Sequence, residues 1–223
     1  LMAAQNRIVY PDADAHLAAL ITGERLERLK ALGSFEIRKG RPHDAAELLE
    51  RIRGAAGILL GWDITPEVMR KATGLKVISY LGTGVAKFVD LGLARELGIT
   101  VCNVPGYGDN AVAEHTLALL LAVVRKVALL DRQMHAGHWN EPSPAMELRG
   151  KTIGLIGLGG IGARMAAIAR GVGMEVIVWT RKPDPARARA HGVRFVELDA
   201  LLRESDILSL HLALTPETRQ LLG

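Results

Sequence analysis

Cysteine and long apolar runs are scarce in this sequence, and each scarcity excludes a class of protein. The single cysteine, Cys102, rules out an internal disulfide framework and fits a reducing, cytoplasmic compartment. Because Cys102 ends the apolar run that begins at Ile99, we expect its side chain to be buried. The longest apolar run, Thr116 to Val124, is too short to span a bilayer. A cytoplasmic protein that does not span a membrane is therefore expected.

Charge of one sign is also not concentrated enough to indicate a polyanionic partner. The formal net charge is +4, and the charged residues are interspersed along the chain. The densest basic run is broken by prolines and alanines and has no aromatic residues among its cations, which are Arg181, Lys182, Arg187, Arg189 and Arg194. Nucleic-acid surfaces usually combine a denser basic patch with stacking side chains. We therefore expect no nucleic-acid partner.

What the sequence does contain is typical of an α/β protein. Hydrophobic residues make up 49% of the chain, aromatic residues only 4%, and there are 24 glycines. Aliphatic parallel strands joined by tight glycine-containing turns have this composition. Predicted strands and helices alternate from end to end, which indicates two doubly wound parallel-sheet domains.

The predicted domain boundary lies at Pro105-Gly106-Tyr107-Gly108, where the alternation stops. Residues 1–104 hold five predicted strand–helix steps and form a flavodoxin-like domain. One amphipathic helix is expected there from His16 to Leu32. Residues 105–223 form the second domain, which opens with a long apolar helix from Ala111 to Leu130. Such a helix is expected to be buried between two bodies rather than to have one face in water.

The second alternation begins at Thr152 and indicates an incomplete Rossmann domain. Only the first βαβαβ half and one further strand of a dinucleotide fold are predicted before Gly223. A parallel sheet that stopped there would have an uncovered central edge. We therefore expect that a longer protein has lost its C-terminal part. A compact domain that ends naturally at this point is the alternative.

The string Gly157-Leu158-Gly159-Gly160-Ile161-Gly162 follows a predicted apolar strand and opens a predicted helix. In such a fingerprint the first glycine permits a tight turn, the second lets the backbone approach a pyrophosphate, and the third lets helix and strand pack closely. The N–H groups at the start of the helix, including those of Gly160 and Ile161, favour a phosphate. A glycine-rich turn used for packing alone is the alternative. With strands and a helix at the expected spacing, the sequence predicts nucleotide binding.

The end of the next strand distinguishes the two nicotinamide dinucleotides. An acidic residue there accepts hydrogen bonds from the ribose hydroxyls of NAD, whereas a neutral residue beside a base suits the 2′-phosphate of NADP. This chain has Thr180-Arg181-Lys182 at that place. Since Arg181 can bind a phosphate through two parallel hydrogen bonds, NADP is favoured over NAD. A solvated turn without a ligand is the alternative.

Several further segments carry a resemblance to a known family. They are Leu81-Gly82-Thr83-Gly84, Asn103-Val104-Pro105-Gly106, Val112-Ala113-Glu114-His115, Glu147-Leu148-Arg149-Gly150-Lys151-Thr152 and Leu214-Thr215-Pro216-Glu217-Thr218. Together with the glycine fingerprint, they resemble the D-isomer-specific 2-hydroxyacid dehydrogenases along the whole chain. Within that family the sequence looks most like the glyoxylate/hydroxypyruvate reductase branch, chiefly through Thr180-Arg181-Lys182.

The resemblance implies a substrate domain followed by a coenzyme domain, a homodimer, and hydride transfer between NAD(P)H and a small 2-oxo acid or D-2-hydroxy acid. It also implies that the loop at Thr83 and Gly84 holds the substrate carboxylate, a role for which consecutive backbone N–H groups are suited because they form an anion-binding concavity. A plain glycine-containing turn between strand and helix is the alternative. Val112 matches a position near the nicotinamide, although core packing would explain it equally well. Ala213 matches a position that lines the nucleotide site.

The catalytic arginine, glutamate and histidine that the resemblance implies are expected beyond Gly223. None of the seven histidines matches the family position, and we assign neither His115 nor His211 to catalysis. The chain as given is therefore expected to be inactive. A nucleotide-binding regulator on the same fold, related to transcriptional corepressors, is the alternative function.

Overall fold

The computed structural model describes residues 6–139 and 144–222. The chain divides into two compact units, Leu1–Tyr107 and Gly108–Gly223. Each unit is an α/β body built on one parallel sheet. The fold class predicted from the alternation of strands and helices is therefore confirmed.

The sheet of the first unit has the strand order β2-β1-β3-β4-β5, which is the flavodoxin-like order. Its strands are β1 Arg7–Ala13, β2 Ser34–Lys39, β3 Gly57–Leu60, β4 Val77–Tyr80 and β5 Thr100–Cys102. Ile58 and Ile78 are paired in the middle of this sheet, and both are fully buried. Burial on both faces is what a parallel sheet covered by helices requires.

The helices of the first unit are α1 Ala15–Ala19, α2 Gly23–Leu32, α3 Ala45–Arg51, α4 Pro66–Lys71 and α5 Leu91–Glu96, with a 3₁₀ helix at Val85–Lys87. The prediction of one helix from His16 to Leu32 is wrong, because the chain breaks it between α1 and α2. Gly23 has a φ of +53°, which a side chain rarely adopts. Oxygen-bearing side chains cap four of these helix starts, at Asp14, Asp44, Thr65 and Asp90.

Cys102 does not lie where its apolar neighbours suggested. It is exposed, at the end of strand β5. Because β5 is the outermost strand of its sheet, it has a hydrogen-bonded neighbour on one side only. The expectation of a buried thiol is therefore wrong.

The second unit has the strand order β8-β7-β6-β9, which equals the first four positions of the Rossmann order 3-2-1-4. Its strands are β6 Thr152–Ile156, β7 Glu175–Trp179, β8 Arg194–Phe195 and β9 Ile207–Leu210. Its helices are α6 Asp109–Val124, α7 Val127–His135, α8 Gly160–Gly171, α9 Pro185–His191 and α10 Leu198–Glu204. Strand β6 is central, and all of its residues after Thr152 are buried.

The long helix predicted from Ala111 to Leu130 is two helices. Lys126 adopts a left-handed conformation with a φ of +55°, so α6 stops before it and α7 starts after it. Within this chain alone, Ala113 and Val124 are the buried residues of α6. Val123 is 74% exposed. Within the described ranges, no helix is long and apolar enough to cross a membrane.

The topology brings three strand ends together in the second unit. The N–H of Gly157, just after β6, donates to the carbonyl of Trp179 at the end of β7 at 2.8 Å. On the other side, the N–H of His211 after β9 donates to the carbonyl of Ile156 at 2.9 Å. The loops that follow β6, β7 and β9 therefore leave the sheet at the same edge. Ligands of doubly wound folds bind at this carboxyl edge.

Candidate functional site

The glycine loop after β6 contains two positions that the fold itself reserves for glycine. Gly157 has a φ of +101°, and a Cβ there would lie 2.7 Å from the carbonyl oxygen of His211. Gly162 is buried, and a Cβ on it would collide with the carbonyl of Gly157. Tight turning at Gly157 and close packing at Gly162 therefore have a direct structural reason.

Gly159 differs, because nothing in the protein requires a glycine there. Its φ of −74° and ψ of −166° are open to any residue. A Cβ built on Gly159 would meet no atom within 4 Å. A bound ligand close to the backbone would explain the missing side chain, which is the role that the fingerprint gives to the second glycine.

The loop also presents a row of free donors. In the described structure, the N–H groups of residues 158–162 donate to no protein acceptor. They lie at the start of α8, a helix of 12 residues, where the helix dipole favours a negative charge. The arrangement suits a phosphate group.

A cavity of ≈ 640 Å³ lies beside this loop at the carboxyl edge of the sheet. It brings together six of the residues predicted for cofactor binding, which are Gly157, Gly159, Thr180, Arg181, Lys182 and Ala213. It also contains four residues that the sequence reasoning did not assign to the site, which are Leu158, Arg187, His211 and Leu212. Segments distant in sequence thus form one concave surface.

The lining of this cavity is cationic. Arg181, Lys182 and Arg187 contribute three basic side chains, and the described lining includes no aspartate or glutamate. Thr180 stands at the end of β7, where an acidic residue would oppose a ribose 2′-phosphate. The charge and the free backbone donors therefore fit a dinucleotide with an additional phosphate.

His211 contributes an imidazole ring to the same surface. Its Nε2 lies 3.0 Å from the hydroxyl of Ser209, and the residue is half-buried. Burial lowers the pKa of His211 from its ordinary value, because it disfavours the charged form of the ring. His211 follows β9 directly, which agrees with its interpretation as a strand-end residue.

Four predicted cofactor residues do not line the cavity. Gly160, Ile161 and Gly162 form the first turn of α8 beside it, and their N–H groups are among the free donors. Val112 lies on α6 and is 45% exposed, so core packing does not account for it. The structure gives no contact that explains Val112.

The loop at Thr83 and Gly84 lies in the first unit, at the carboxyl end of β4. Both residues are exposed, and their N–H groups donate to no acceptor in the described part of the chain. The Asn103 amide donates to the Thr83 carbonyl at 2.7 Å, and the Val104 N–H donates to the Gly82 carbonyl at 2.9 Å. These bonds hold the loop by its carbonyl groups and leave its N–H groups available to an anion.

A third turn, after β3, was missed by the sequence reasoning. The buried carboxylate of Asp12 accepts hydrogen bonds from the N–H groups of Gly61, at 3.0 Å, and Trp62, at 2.8 Å. Burial raises the pKa of Asp12, and the two backbone donors oppose that shift. Arg41 covers the Trp62 ring at 3.9 Å and pairs with Asp63 at 3.3 Å. Among the described residues, no group of acidic, histidine or cysteine side chains could hold a metal ion.

Residues 117–223 match the family model described as D-isomer specific 2-hydroxyacid dehydrogenase, NAD binding domain. The glyoxylate reductase of Aeropyrum pernix is 37% identical over 211 residues, which are 90% of this chain and 63% of that protein. The chain belongs to the D-isomer specific 2-hydroxyacid dehydrogenase family. Its second unit is an NAD(P)-binding domain of that family.

Solved structures agree with this membership. The TT0316 protein from Thermus thermophilus is 39% identical, with a TM-score of 0.81 over 97% of this chain and 68% of that one. An acyclic imino acid reductase (Bsp5) in complex with NADPH and D-Arg is 31% identical, with a TM-score of 0.83 over 95% of this chain and 67% of that one. The chain thus spans about two thirds of the length of these relatives.

Proposed function

We propose that the cavity beside the glycine loop binds NADP(H), with the pyrophosphate on the free N–H groups of residues 158–162. The observation that carries this proposal is the convergence of those donors with Arg181, Lys182 and Thr180 around one cavity. A dianionic 2′-phosphate gains charge-assisted hydrogen bonds from an arginine. The described lining of the cavity contains no acidic side chain, and Glu217 lies within electrostatic range of Arg181. NADP(H) is therefore preferred over NAD(H).

Each segment has a separate task in this proposal. Gly159 lets the pyrophosphate approach the backbone, and the first turn of α8, with Gly160 and Ile161, supplies donors and the positive end of the dipole. Gly157 and Gly162 keep the turn and the helix packing in place. Ala213 borders the nucleotide from the loop after β9. Val112 is assigned to the neighbourhood of the nicotinamide on the family resemblance alone.

The reaction we propose for the whole protein is hydride transfer between NAD(P)H and a small 2-oxo acid of the glyoxylate or hydroxypyruvate type, or the reverse oxidation of a D-2-hydroxy acid. The glyoxylate reductase of Aeropyrum pernix and a hydroxypyruvate reductase of Thermotoga maritima, both 37% identical, support this substrate class. When bound, the nicotinamide supplies the hydride. The free N–H groups of Thr83 and Gly84 are suited to hold the substrate carboxylate.

We further propose that the protein is cytoplasmic and forms a homodimer through its second unit. The apolar side chains that α6 and α7 leave in solvent support the dimer, and they include Leu119 at 55%, Val123 at 74% and Val127 at 54% exposed. Large apolar side chains exposed on adjoining helices are typical of an interface. Sedimentation of the chain, and of a variant with Val123→Glu, tests this assignment through a concentration-dependent shift that the substitution abolishes.

Titration of the chain with NADPH and NADH, followed by nucleotide fluorescence, tests the cofactor assignment. We expect NADPH to bind about tenfold more tightly or better, because a charge-assisted hydrogen bond contributes roughly 1.5–3 kcal/mol. Equal affinities would contradict the preference for NADP(H), and binding of neither nucleotide would contradict the site itself.

The reaction is tested separately on the whole protein, by NADPH oxidation with glyoxylate and hydroxypyruvate. We expect turnover with at least one of these acids. Nucleotide binding without turnover across a panel of 2-oxo acids would contradict the reductase assignment. It would instead favour a regulatory role for the nucleotide.

A further inference from the structure

Arg187 occupies a place in helix α9 that helix stability does not explain. The carboxylate of Asp184 caps α9 by accepting from the N–H of Ala186 at 2.9 Å, and Pro185 follows the cap. Arg187 therefore lies in the first turn, where the helix dipole favours an acidic side chain and disfavours a cation. Its presence there calls for a reason outside the helix.

The Arg187 side chain turns away from its own helix and towards the glycine loop. One of its terminal nitrogens, Nη2, donates to the carbonyl of Leu158. The residue is half-buried and borders the cavity together with Leu158. Arg170 holds the opposite end of α9, since its Nη1 donates to the His191 carbonyl at 3.3 Å. Helix α9 is thus held at both ends, with the Arg187 guanidinium fixed at the edge of the cavity.

A guanidinium has five N–H donors, and a single bond to Leu158 leaves the remaining donors for a ligand. Arg187 and Arg181 border the same cavity from two different segments, α9 and the loop after β7. Arg187, Arg181 and Lys182 together form a cationic surface. On this surface each guanidinium offers paired N–H donors. A phosphate dianion is the ligand that such planar donors bind best.

We propose that Arg187 is a second specificity-determining residue for NADP(H), which binds the 2′-phosphate together with Arg181. The Leu158 carbonyl holds the guanidinium in position for this contact. The inference rests on the proposed binding of NADP(H) in this cavity. It goes beyond that proposal because it assigns the recognition of the phosphate to helix α9 as well as to the Thr180-Arg181-Lys182 turn.

Substitution of Arg187, with a neighbouring arginine as the matched control, tests the inference. Arg187→Gln removes the charged guanidinium and its paired N–H donors. We expect the Kd for NADPH to rise about tenfold while the Kd for NADH changes less than about twofold. Arg189→Gln removes the same charge from the same helix. Arg189 is exposed, lies in the last turn, where a cation is favourable, and is absent from the cavity lining. Its substitution should leave both Kd values within about twofold of the wild type.

Two further measurements remove the remaining ambiguity. Arg187→Lys keeps the charge without the paired N–H donors and should fall between the wild type and Arg187→Gln for NADPH. Adenosine 2′,5′-bisphosphate and adenosine 5′-monophosphate, used as competing probes, isolate the 2′-phosphate. Arg187→Gln should weaken the binding of the bisphosphate and leave the binding of the monophosphate unchanged.

Equal weakening of NADPH and NADH by Arg187→Gln would overturn the inference, since it would make Arg187 a support for the glycine loop alone. No weakening of either nucleotide would overturn it as well. If the wild-type chain binds neither nucleotide, the proposed function fails first. If the wild type prefers NADPH and Arg187→Gln keeps the whole preference, only the present inference fails.

Discussion

Two strand-to-helix turns in this protein present backbone N–H groups at the carboxyl edge of a parallel sheet, and they differ in what accepts those groups. After β3, the N–H groups of Gly61 and Trp62 donate to the buried carboxylate of Asp12. After β6, the N–H groups of residues 158–162 have no acceptor within the described structure. The first turn donates to its own carboxylate, whereas the N–H groups of the second donate to no described acceptor, although the Asp109 carboxylate lies against Gly160.

The comparison shows that turn geometry alone does not make a ligand site. A buried N–H group without an acceptor is costly, so a protein that binds no anion supplies one of its own side chains, as it does with Asp12. The loop after β6 has three cations beside it, lines a cavity and keeps its donors free. Free donors, more than the glycine pattern, distinguish the binding loop from the structural turn.

The loop at Thr83 and Gly84 has properties intermediate between those of the other two turns. Its N–H groups are free, as after β6, but they lead into a 3₁₀ helix of three residues rather than a long α-helix. The donors are therefore few and the dipole behind them is small. A single carboxylate fits this loop, whereas a pyrophosphate fits the loop after β6.

The largest effect is expected when the packing of the binding loop is broken. Gly162→Ala places a methyl group against the carbonyl of Gly157, and we expect a loss of about 3 kcal/mol in the free energy of unfolding of the second unit. Urea unfolding measures this loss. A change below about 0.5 kcal/mol would show that the close approach of helix and strand is not needed.

Gly159→Ala separates binding from folding in the same loop. Because the new methyl group meets no protein atom, the free energy of unfolding should change by less than about 1 kcal/mol. The methyl group does point to where the pyrophosphate is proposed to lie, so the Kd for NADPH should rise about 10- to 100-fold. Unchanged nucleotide affinity in this variant would mean that Gly159 does not face a ligand.

Arg181→Ala tests whether the cations beside the loop add to the free donors. We expect the gap between the Kd values for NADPH and NADH to narrow about tenfold, because NADPH alone loses a charge-assisted hydrogen bond. Fluorescence titration of both nucleotides measures the gap. If the affinities for NADPH and NADH fall equally, Arg181 attracts both nucleotides and does not discriminate between them.

The smallest expected effect is a pH dependence of stability at the turn after β3, whose N–H groups donate to Asp12. The folded-state pKa of Asp12 is raised above 3.8, so its contribution to stability is complete below pH 3.8 and is lost as the pH rises through the raised value. Asp12→Asn does not titrate. The free energy of unfolding of the variant relative to the wild type should therefore increase from pH 4 to pH 7 in urea titrations. A difference that stays constant or decreases over this range would contradict the assignment.

Local sequence carried enough information for the glycine loop and the strand order. A turn that needs a positive φ at Gly157 and close packing at Gly162 leaves a direct trace in the residue types. The break between α6 and α7 left no such trace. Lys126 takes the left-handed conformation although no glycine or proline beside it indicates a break. The sequence therefore predicted one helix.

Long-range contacts were the part that the sequence did not reveal. Asp12 and Asp14 are two residues apart, yet Asp14 caps α1 and Asp12 binds a turn about fifty residues away. The reach of Arg187 to Leu158 depends on how α9 packs beside the glycine loop. The exposure of Cys102 depends likewise on its place at a sheet edge.

The central claim is that the free N–H groups after β6 hold a dinucleotide phosphate while those after β3 do not. Two-dimensional ¹H–¹⁵N spectra of the labelled chain, recorded with and without NADPH, test this claim most directly. The signals of Gly159, Gly160 and Ile161 should shift most, and those of Gly61 and Trp62 should stay in place. Unchanged signals in the glycine loop, or shifts centred on Gly61 and Trp62, would contradict the account.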